Sequence, residues 1–346
     1  MSISEEQVRD ALRSVRYPGF SRDIVSFGLI KAINIDDGEV KVQLALATND
    51  PNIPASIKTD AEKVLHALAG VRAAKVLIDI HAPPAGAGAT VGATRIAGIK
   101  HVIAVASGKG GVGKSTVATN LAIALEQSKA RVGLCDCDIY GPSISQMFGT
   151  RERPTATEEN QIVPITQYNL KLMSMGFLLD DTSPAILRGP MVTRYTQQFL
   201  RQVDWGELDF LVLDLPPGTG DIQLTIVQTV ALSGAIIVTT PQEVALIDAR
   251  KAATMFEKVN VPVLGLVENM SYFVSPSDNK RYDIFGSGGG EREAKRLRVP
   301  LLGQVPIDIA TREAGDRGHP IVAEDRQSPV AMEFVKIAGR IREALA

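Results

Sequence analysis

Cysteine is nearly absent from this chain, which has 346 residues and only two cysteines, Cys135 and Cys137. The two lie too close together for an ordinary structural disulfide, and such sparse cysteine is typical of a cytoplasmic protein. Long apolar runs are also missing, and none approaches the ~20 residues that a bilayer span requires. The first six residues are polar and acidic, unlike a secretory signal. We therefore expect a cytoplasmic protein with no transmembrane segment.

Neither sign of charge is in excess. Lys and Arg total 37 against 39 for Asp and Glu, so the formal net charge is −2. This balance argues against a broad basic surface, and we expect no specific nucleic-acid partner. Hydrophobic residues make up 45% of the chain, enough for a real core, and the length suggests two domains at ~100–200 residues per domain.

A change of composition marks the boundary between these domains. Residues 83–98 are small, rich in Gly and Ala, and uncharged except for Arg95. This composition predicts a flexible linker. The linker separates a small domain at residues 1–82 from a larger domain at residues 99–346.

The first domain alternates helix and strand patterns. Its periodic apolar residues predict a helix, a strand, a helix and a strand, in that order: Val8, Leu12 and Val15; Val40, Val42, Leu44 and Leu46; Ile57, Ala61, Val64, Leu65 and Leu68; Val76, Ile78 and Ile80. The pattern predicts a small α+β domain. We find in it no group of His, Cys or carboxylate side chains that indicates a chemical site.

The second domain contains short, almost continuous apolar runs separated by helical segments. The runs cover residues 101–106, 131–135, 210–213, 235–239, 261–267 and 301–305. Strands of this kind are typical of an α/β fold, with a parallel sheet covered by helices on both faces. Residues 150–185 show little pattern.

A phosphate-binding motif follows the first of these runs. It reads Gly108-Lys109-Gly110-Gly111-Val112-Gly113-Lys114-Ser115, and Thr116 continues into a predicted helix. The glycines allow backbone amides to face a phosphate, and the helix N-terminus adds partial positive charge. We expect ATP here, with Lys114 on its β- and γ-phosphates and Ser115 on Mg²⁺.

Two further apolar runs end in carboxylates. Asp136 and Asp138 follow the run at 131–135, and Asp214 ends the run at 210–213 as a Walker B aspartate. Strand carboxyl ends meet at one edge of an open α/β sheet, so these groups should lie near the phosphates. We expect Asp214 to hold Mg²⁺ through water, with Asp136 assisting. The Gly- and Pro-rich residues 215–221 that follow suit a loop that senses the γ-phosphate.

The early lysine makes the motif resemble the deviant P-loop of the MinD, ParA and nitrogenase-reductase ATPases. The resemblance implies a homodimer in which Lys109 reaches the partner's nucleotide and stabilises the transferred phosphate, as an arginine finger does. It also implies that Asp138 orients the attacking water. Lys109, Lys114, Asp138 and Asp214 are then the catalytic residues.

A more specific resemblance covers roughly residues 100–345, to the Mrp/ApbC-type iron–sulfur cluster carrier ATPases. It rests on the segments at residues 138–143, 188–191, 204–209, 214–221, 268–273 and 285–290. It implies slow ATP hydrolysis coupled to cluster assembly or transfer to apoproteins, with Asn269 at the adenine edge and Pro306 against the base. The first domain resembles one that is often fused ahead of these ATPases and occurs in cluster-assembly factors.

The chain departs from this family where cluster carriers have Cys-x-x-Cys. Residues 274–278 read Val-Ser-Pro-Ser-Asp, so Ser275 and Ser277 stand in the ligand region, and residues 48–52 lack the cysteine usual in the fused domain. Clusters are normally held by four Cys thiolates. Cys135 and Cys137 could replace them, although buried cysteines more often serve as small core residues.

Three functions follow from these observations. The first is the ATP-hydrolysing cluster carrier or assembly factor of the family. The second is a dimeric ATPase switch or scaffold that has lost direct cluster binding. The third is a MinD/ParA-type positioning ATPase, for which the apolar stripe Val330, Phe334, Ile337 and Ile341 would be a membrane-surface helix rather than one packed on the sheet.

Overall fold

The computed structural model describes residues 3–15, 23–25, 29–36, 38–47, 52–81, 93–158, 161–178 and 189–346. The chain forms two compact units, Met1–Ala93 and Thr94–Ala346. Most of the predicted linker, at residues 83–92, lies outside the described residues. At its far end Thr94 pairs with Val230 in an isolated parallel bridge.

The first unit packs two helices against a three-stranded sheet. Its elements are α1 (Glu5–Leu12), β1 (Ile30–Asp36), β2 (Glu39–Ala47), α2 (Asn52–His66) and β3 (Ala73–His81). β2 is central, antiparallel to β1 and parallel to β3. Helix α1 begins with a capping box in which Ser4 and Gln7 satisfy each other's backbone amides. It ends at Leu12, before the predicted Val15, which is nevertheless buried.

The second unit is built around an eight-stranded sheet, with two smaller strand pairs beside it. The strands of this unit are β4 (Ile99–Ala106), β5 (Val132–Asp136), β6 (Thr155–Ala156), β7 (Ile162–Val163), β8 (Ile165–Gln167), β9 (Leu170–Met173), β10 (Leu208–Asp214), β11 (Gly234–Thr239), β12 (Val263–Glu268), β13 (Phe273–Val274), β14 (Arg281–Tyr282) and β15 (Leu301–Gln304). The sheet order is β15-β12-β11-β4-β10-β5-β9-β8. Every neighbouring pair is parallel except β8 and β9. β6–β7 and β13–β14 form two small antiparallel pairs.

Helices cover both faces of this sheet. They are α3 (Lys114–Gln127), α4 (Ile144–Met147), α5 (Gly189–Arg201), α6 (Asp221–Thr229), α7 (Glu243–Lys258), α8 (Gly289–Leu297), α9 (Ile309–Arg317), α10 (Ile321–Glu324) and α11 (Pro329–Leu345). In β11, Ile236 and Val238 pack in one core cluster with α3 and α11, whereas Ile237 packs in another with α7. Successive strand residues point to opposite faces, so the two clusters lie on opposite faces.

The predicted α/β fold is confirmed. All six predicted strands are present, as β4, β5, β10, β11, β12 and β15. β8 and β9 were not predicted, and they lie in the segment without clear pattern. They are three and four residues long and are joined at Tyr168 and Asn169, both in the left-handed region with φ of 49° and 59°. A tyrosine in that conformation is no turn signal, which is why the hairpin escaped sequence reasoning.

The C-terminal helix belongs to the core. Ser328 caps α11, accepting a hydrogen bond from the Ala331 amide, and Pro329 occupies its first turn. Its stripe of Val330, Phe334 and Ile337, with Ile341, is buried in the cluster that includes α3. The stripe is therefore a packing face. Among the helices described, none is both long and apolar enough to cross a bilayer.

Candidate nucleotide site

The phosphate-binding loop spans the gap between β4 and α3 at the centre of the sheet. Gly111 and Gly113 both have φ of 79°, which favours glycine. A Cβ on Gly108 would collide with the backbone of Asp248 on α7, and one on Gly113 with the side-chain amide of Asn269. A Cβ on Gly110 or Gly111 would meet no described atom within 4 Å. The loop is therefore packed tightly on its inner side and open on the side where a phosphate would bind.

Lys114 lies at the first turn of α3, under this open loop. Its side chain is 93% buried, and Nζ donates to Asp214 Oδ1 at 2.5 Å and to Ser115 Oγ at 3.2 Å. The N-terminus of α3 points its free amides at the same space. Lysine, hydroxyl and helix N-terminus thus converge where the motif predicted them.

Two buried carboxylates face one buried ammonium. Asp136 and Asp214 are register partners at the carboxyl ends of β5 and β10, and both are fully buried. Burial and the neighbouring Asp214 charge raise the pKa of Asp136 to about 7. Burial also raises the pKa of Asp214, against the opposing effect of Lys114. A cation beside these carboxylates would favour their ionised form and offset the cost of burying them.

Asp214 keeps one oxygen free for that cation. Its Oδ2 is buried and, among the described residues, has no hydrogen-bond partner. A carboxylate oxygen beside the Ser115 hydroxyl is a donor set that suits Mg²⁺, which prefers hard oxygen ligands and keeps several waters. Ser115 and Asp214 therefore fit the predicted metal, while Asp136 has both oxygens engaged, as described next.

Asp136 holds the loop that carries Asp138. Its Oδ1 accepts from the Asp138 amide at 3.1 Å, and its Oδ2 from the Ser143 and Ile144 amides at 3.0 and 3.2 Å and the Ser174 hydroxyl at 2.9 Å. Asp138 is half-buried at the start of this loop. Asp136 is thus an anchor for the predicted water-orienting residue, a role that sequence reasoning did not assign to it.

Lys109 lies in the phosphate-binding loop, and its side chain is half-buried. Within the described part of the chain no carboxylate pairs with it. On the other side of the phosphate loop, the Gly218 amide donates to the Ser107 carbonyl at 3.0 Å, so the Gly- and Pro-rich segment 215–220 also borders the site.

A cavity of about 460 Å³ adjoins the phosphate loop. Gly113, Thr116, Asn269 and Pro306 all line it, so the structure brings together residues predicted from distant segments. Asn269 Nδ2 donates to the Val112 carbonyl at 2.8 Å. This bond ties the predicted adenine contact to the phosphate loop itself.

Other lining residues were missed. Met147 on α4, Asn120 on α3 and Gly315 on α9 contribute to the same cavity. Their places in the sequence give no hint of this, because the helices meet only after the sheet forms. The sequence did carry a signal for the start of α9, because Asp308 caps this helix by accepting a hydrogen bond from the Thr311 amide at 2.7 Å.

The cysteines are packed inside this unit. Cys135 and Cys137 are 0% and 1% exposed, with their sulfurs 3.8 Å apart. The hydrogen bond to Cys135 and burial raise the pKa of the Cys137 thiol. Both cysteines are therefore buried core residues of this unit.

The β13–β14 hairpin, residues 273–282, contains Ser275 and Ser277, which stand in the region where the resemblance implies cluster ligands. Ser275 Oγ and Ser277 Oγ share a hydrogen bond of 2.8 Å, and hydrogen bonds from Ser275 and the Lys280 amide lower the pKa of Asp278. Hard oxygen donors suit iron–sulfur clusters poorly. Across the described residues, no three His, Cys, Asp or Glu side chains are grouped to hold a metal. These residues do not fit a thiolate-held cluster. Two further positions from the sequence analysis lie outside the described residues. They are Arg188, at the start of a segment that carried the resemblance, and residues 48–51, in the stretch that lacks the usual cysteine.

Comparison with known proteins gives matches over both units. The family model for ParA, described as NUBPL iron-transfer P-loop NTPase, matches residues 98–342, and that for FeS_assembly_P, an iron–sulfur cluster assembly protein, matches residues 5–78. An iron–sulfur cluster carrier protein of Synechocystis is 43% identical over 344 residues, covering 98% of this chain and 97% of that protein.

Solved structures match about 70% of the chain. A nucleotide-binding protein of Archaeoglobus fulgidus in complex with ADP is 38% identical, with a TM-score of 0.61 over 70% of this chain and 94% of that one. The cell division ATPase MinD of Pyrococcus furiosus is 26% identical, with a TM-score of 0.55 over 70% of this chain and 98% of that one.

Proposed function

Because the chain belongs to the ParA/NUBPL family of iron-transfer P-loop NTPases, we propose that it hydrolyses ATP with Mg²⁺ and uses this cycle in the assembly or transfer of iron–sulfur clusters to apoproteins. The observation that carries the proposal is the buried group of Lys114, Asp136 and Asp214 beneath an open phosphate loop. Its unpaired Asp214 oxygen is what the Mg²⁺ of a magnesium nucleotide would coordinate, and its buried ammonium is what the phosphates would meet.

Lys114 and Asp214 change partners in this proposal. Without nucleotide they pair with each other. On ATP binding Lys114 would turn to the β- and γ-phosphates, which the loop amides would also hold, while Asp214 and Ser115 would hold Mg²⁺. When bound, the metal would supply positive charge that offsets charge on the transferred phosphoryl group. Asp136 contributes to the metal only through water, since its oxygens already hold the Asp138 loop.

Asp138 orients the attacking water, and Lys109 acts on the nucleotide of a partner copy in a homodimer. Both assignments rest on position: Asp138 opens the loop beside the buried carboxylates, and Lys109 lies in the phosphate loop without an ion-pair partner among the described residues. Thr116, Asn269 and Pro306 line the cavity that would take the nucleoside.

Calorimetric titration with MgATP tests the binding step. We expect binding by the parent and at least ~100-fold weaker binding by Lys114→Ala, because the phosphates lose their buried cation. Lys336→Ala, on the exposed side of α11, is the matched control and should bind as the parent does. No heat of binding in the parent would refute the proposal.

Lys109→Ala tests the dimer. We expect turnover to fall ~1000-fold while binding changes little, because the lysine acts on charge that develops in the transition state. Mixing Lys109→Ala with Lys114→Ala chains should restore activity, since each mixed dimer has one site with its own Lys114 and the partner's Lys109. Loss of activity with no recovery on mixing would exclude action across an interface.

The hairpin favours a second function, that of an ATPase switch or scaffold without direct cluster binding. Its serines bond to each other and the chain's two cysteines are buried. A membrane-positioning ATPase has less support, because the α11 stripe is packed in the core.

Iron and sulfide analysis after anaerobic reconstitution separates the first two functions. Under the second, the parent retains no cluster, and Ser275→Cys with Asp278→Cys, which restores Cys-x-x-Cys spacing, gains one. Cys135→Ser with Cys137→Ser is the control for the buried thiols. A parent that retains stoichiometric iron and sulfide supports direct carriage.

A further inference from the structure

Glu268 ends β12 and is fully buried, and no role in the site has been assigned to it. Its Oε1 accepts from Ser271 Oγ at 2.6 Å and from Gln304 Nε2 at 2.8 Å, while its Oε2 accepts from the Gly290 amide. No cation pairs with it among the residues the structure describes. The carboxylate therefore joins three segments: the loop after β12, the end of β15 and the start of α8.

This arrangement stabilises a buried charge by fixed donors. The Gly290 amide is one of the free N–H groups at the N-terminus of α8, where an anion is favoured. A Cβ on Gly290 would lie 2.6 Å from Glu268 Oε2, so glycine is required for this approach. Burying a carboxylate costs more than burying an apolar side chain of that size, so stability alone is a poor reason for it.

Asn269, the next residue, contacts the phosphate-binding loop. The Asn269 amide donates to the Thr239 carbonyl at 2.8 Å, and its side chain donates to the Val112 carbonyl. The Glu268 carbonyl accepts from the Val305 amide at 2.9 Å, one residue before Pro306. Both the phosphate loop and the base side of the cavity thus depend on where the Glu268 backbone lies.

We propose that Glu268 is a positioning residue for nucleotide binding, which holds Asn269 against the phosphate loop by anchoring the loop after β12 to α8. The inference rests on the proposed function, in that the cavity beside Asn269 takes the nucleoside. Glu268 is not among the residues that line the cavity, whereas Asn269 is. Glu268 acts through Asn269, and this distinguishes it from a residue that merely supports the fold.

A double-mutant cycle measured with MgADP tests this route. Glu268→Gln keeps the shape of the side chain and removes its charge. We expect the affinity for MgADP to fall about tenfold, because a shift of Asn269 by a fraction of an ångström weakens its hydrogen bonds. In an Asn269→Ala background the same change should cost less than about twofold, because the side chain through which it acts is gone. Equal losses in both backgrounds would overturn the inference.

Glu293→Gln is the matched control. Glu293 is an equally buried carboxylate on α8, paired with Arg250 at 2.8 Å, and it is not part of the cavity lining. We expect Glu293→Gln to change the affinity for MgADP by less than about twofold relative to the same chain without it. This should hold both with Asn269 and in the Asn269→Ala background, because the changes are independent. A tenfold loss here as well would mean that any change in α8 disturbs the site, which contradicts a specific role for Glu268.

Ser271→Ala provides a second approach if Glu268→Gln does not fold. It removes one donor to the carboxylate and should weaken MgADP binding about threefold, again only when Asn269 is present. No change in affinity with Asn269 present would overturn the inference. Failure of the parent to bind MgADP would instead refute the proposed function, so the two failures are distinguishable.

Discussion

The two ends of β10 each carry an aspartate beside basic side chains, with opposite electrostatics. At the amino end Asp209 is partly exposed and bonds to Lys100 at 2.7 Å and to Arg131 at 3.3 Å, and its pKa is lowered. At the carboxyl end Asp214 is fully buried beside Lys114 at 2.5 Å, yet its pKa is raised. At the carboxyl end burial raises the aspartate pKa by more than the ion pair lowers it, whereas at the amino end the ion pairs dominate.

The difference shows where a ligand is needed. The carboxylate at the amino end already has two charged partners and is partly exposed to solvent. The one at the carboxyl end has an unpaired oxygen and a second buried carboxylate next to it. Only the second arrangement is improved by adding a cation, which is why the same residue type on the same strand indicates stability at one end and function at the other.

The largest test of this contrast exchanges each aspartate for asparagine. Asp214→Asn should lower phosphate release by about 1000-fold, because the carboxylate proposed to hold the metal that stabilises the transition state is lost. Asp209→Asn, the matched control on the same strand, should keep turnover within about twofold of the parent, since surface ion pairs contribute little. Comparable losses in both variants would remove the functional distinction between the two ends.

A smaller effect is expected within the carboxyl end itself. Gly113→Ala places a Cβ against the Asn269 amide at a φ of 79° and should lower the free energy of unfolding by about 2 kcal/mol. Gly110→Ala points into open space and should change it by less than about 0.5 kcal/mol. Urea unfolding without nucleotide measures both. Equal stabilities would show that the inner side of the loop is not tightly packed.

The smallest effect concerns pH at the amino end. The Lys100 and Arg131 partners lower the folded-state pKa of Asp209 below its usual value near 4. The ion pair therefore adds stability above ~pH 4 and loses it as the pH falls towards the folded-state pKa. The contribution should stay under ~1 kcal/mol because the groups are partly exposed. In urea unfolding from pH 7 to 3, Asp209→Asn should flatten the acid limb, and an unchanged limb would contradict this.

Much of the fold followed from local pattern. The six short apolar runs correspond to strands because a parallel strand covered on both faces must be apolar throughout. β1 in the first unit was not predicted, and four of its seven residues are only partly buried while the other three are exposed. The P-loop residues were found because a single continuous segment carries both the curled backbone and its lysine.

Other parts of the site depend on distant contacts. Glu268 was seen only as part of a resembling segment, since its partners Gly290 and Gln304 lie 22 and 36 residues away. Asp136 was predicted to assist the metal, and that remains a prediction; its hydrogen bonds to the loop that carries Asp138 could not be read from the sequence.

The sequence by itself determined that this chain has a phosphate loop, a Walker B aspartate, an early lysine and no Cys-x-x-Cys, because each is a property of a short contiguous stretch. Tertiary structure decided which of the charges are buried, which oxygen is left unpaired, and that the two thiols lie in the core. Burial depends on the order of strands in the sheet, and β10 lies between β4 and β5 only after segments far apart in the chain have paired.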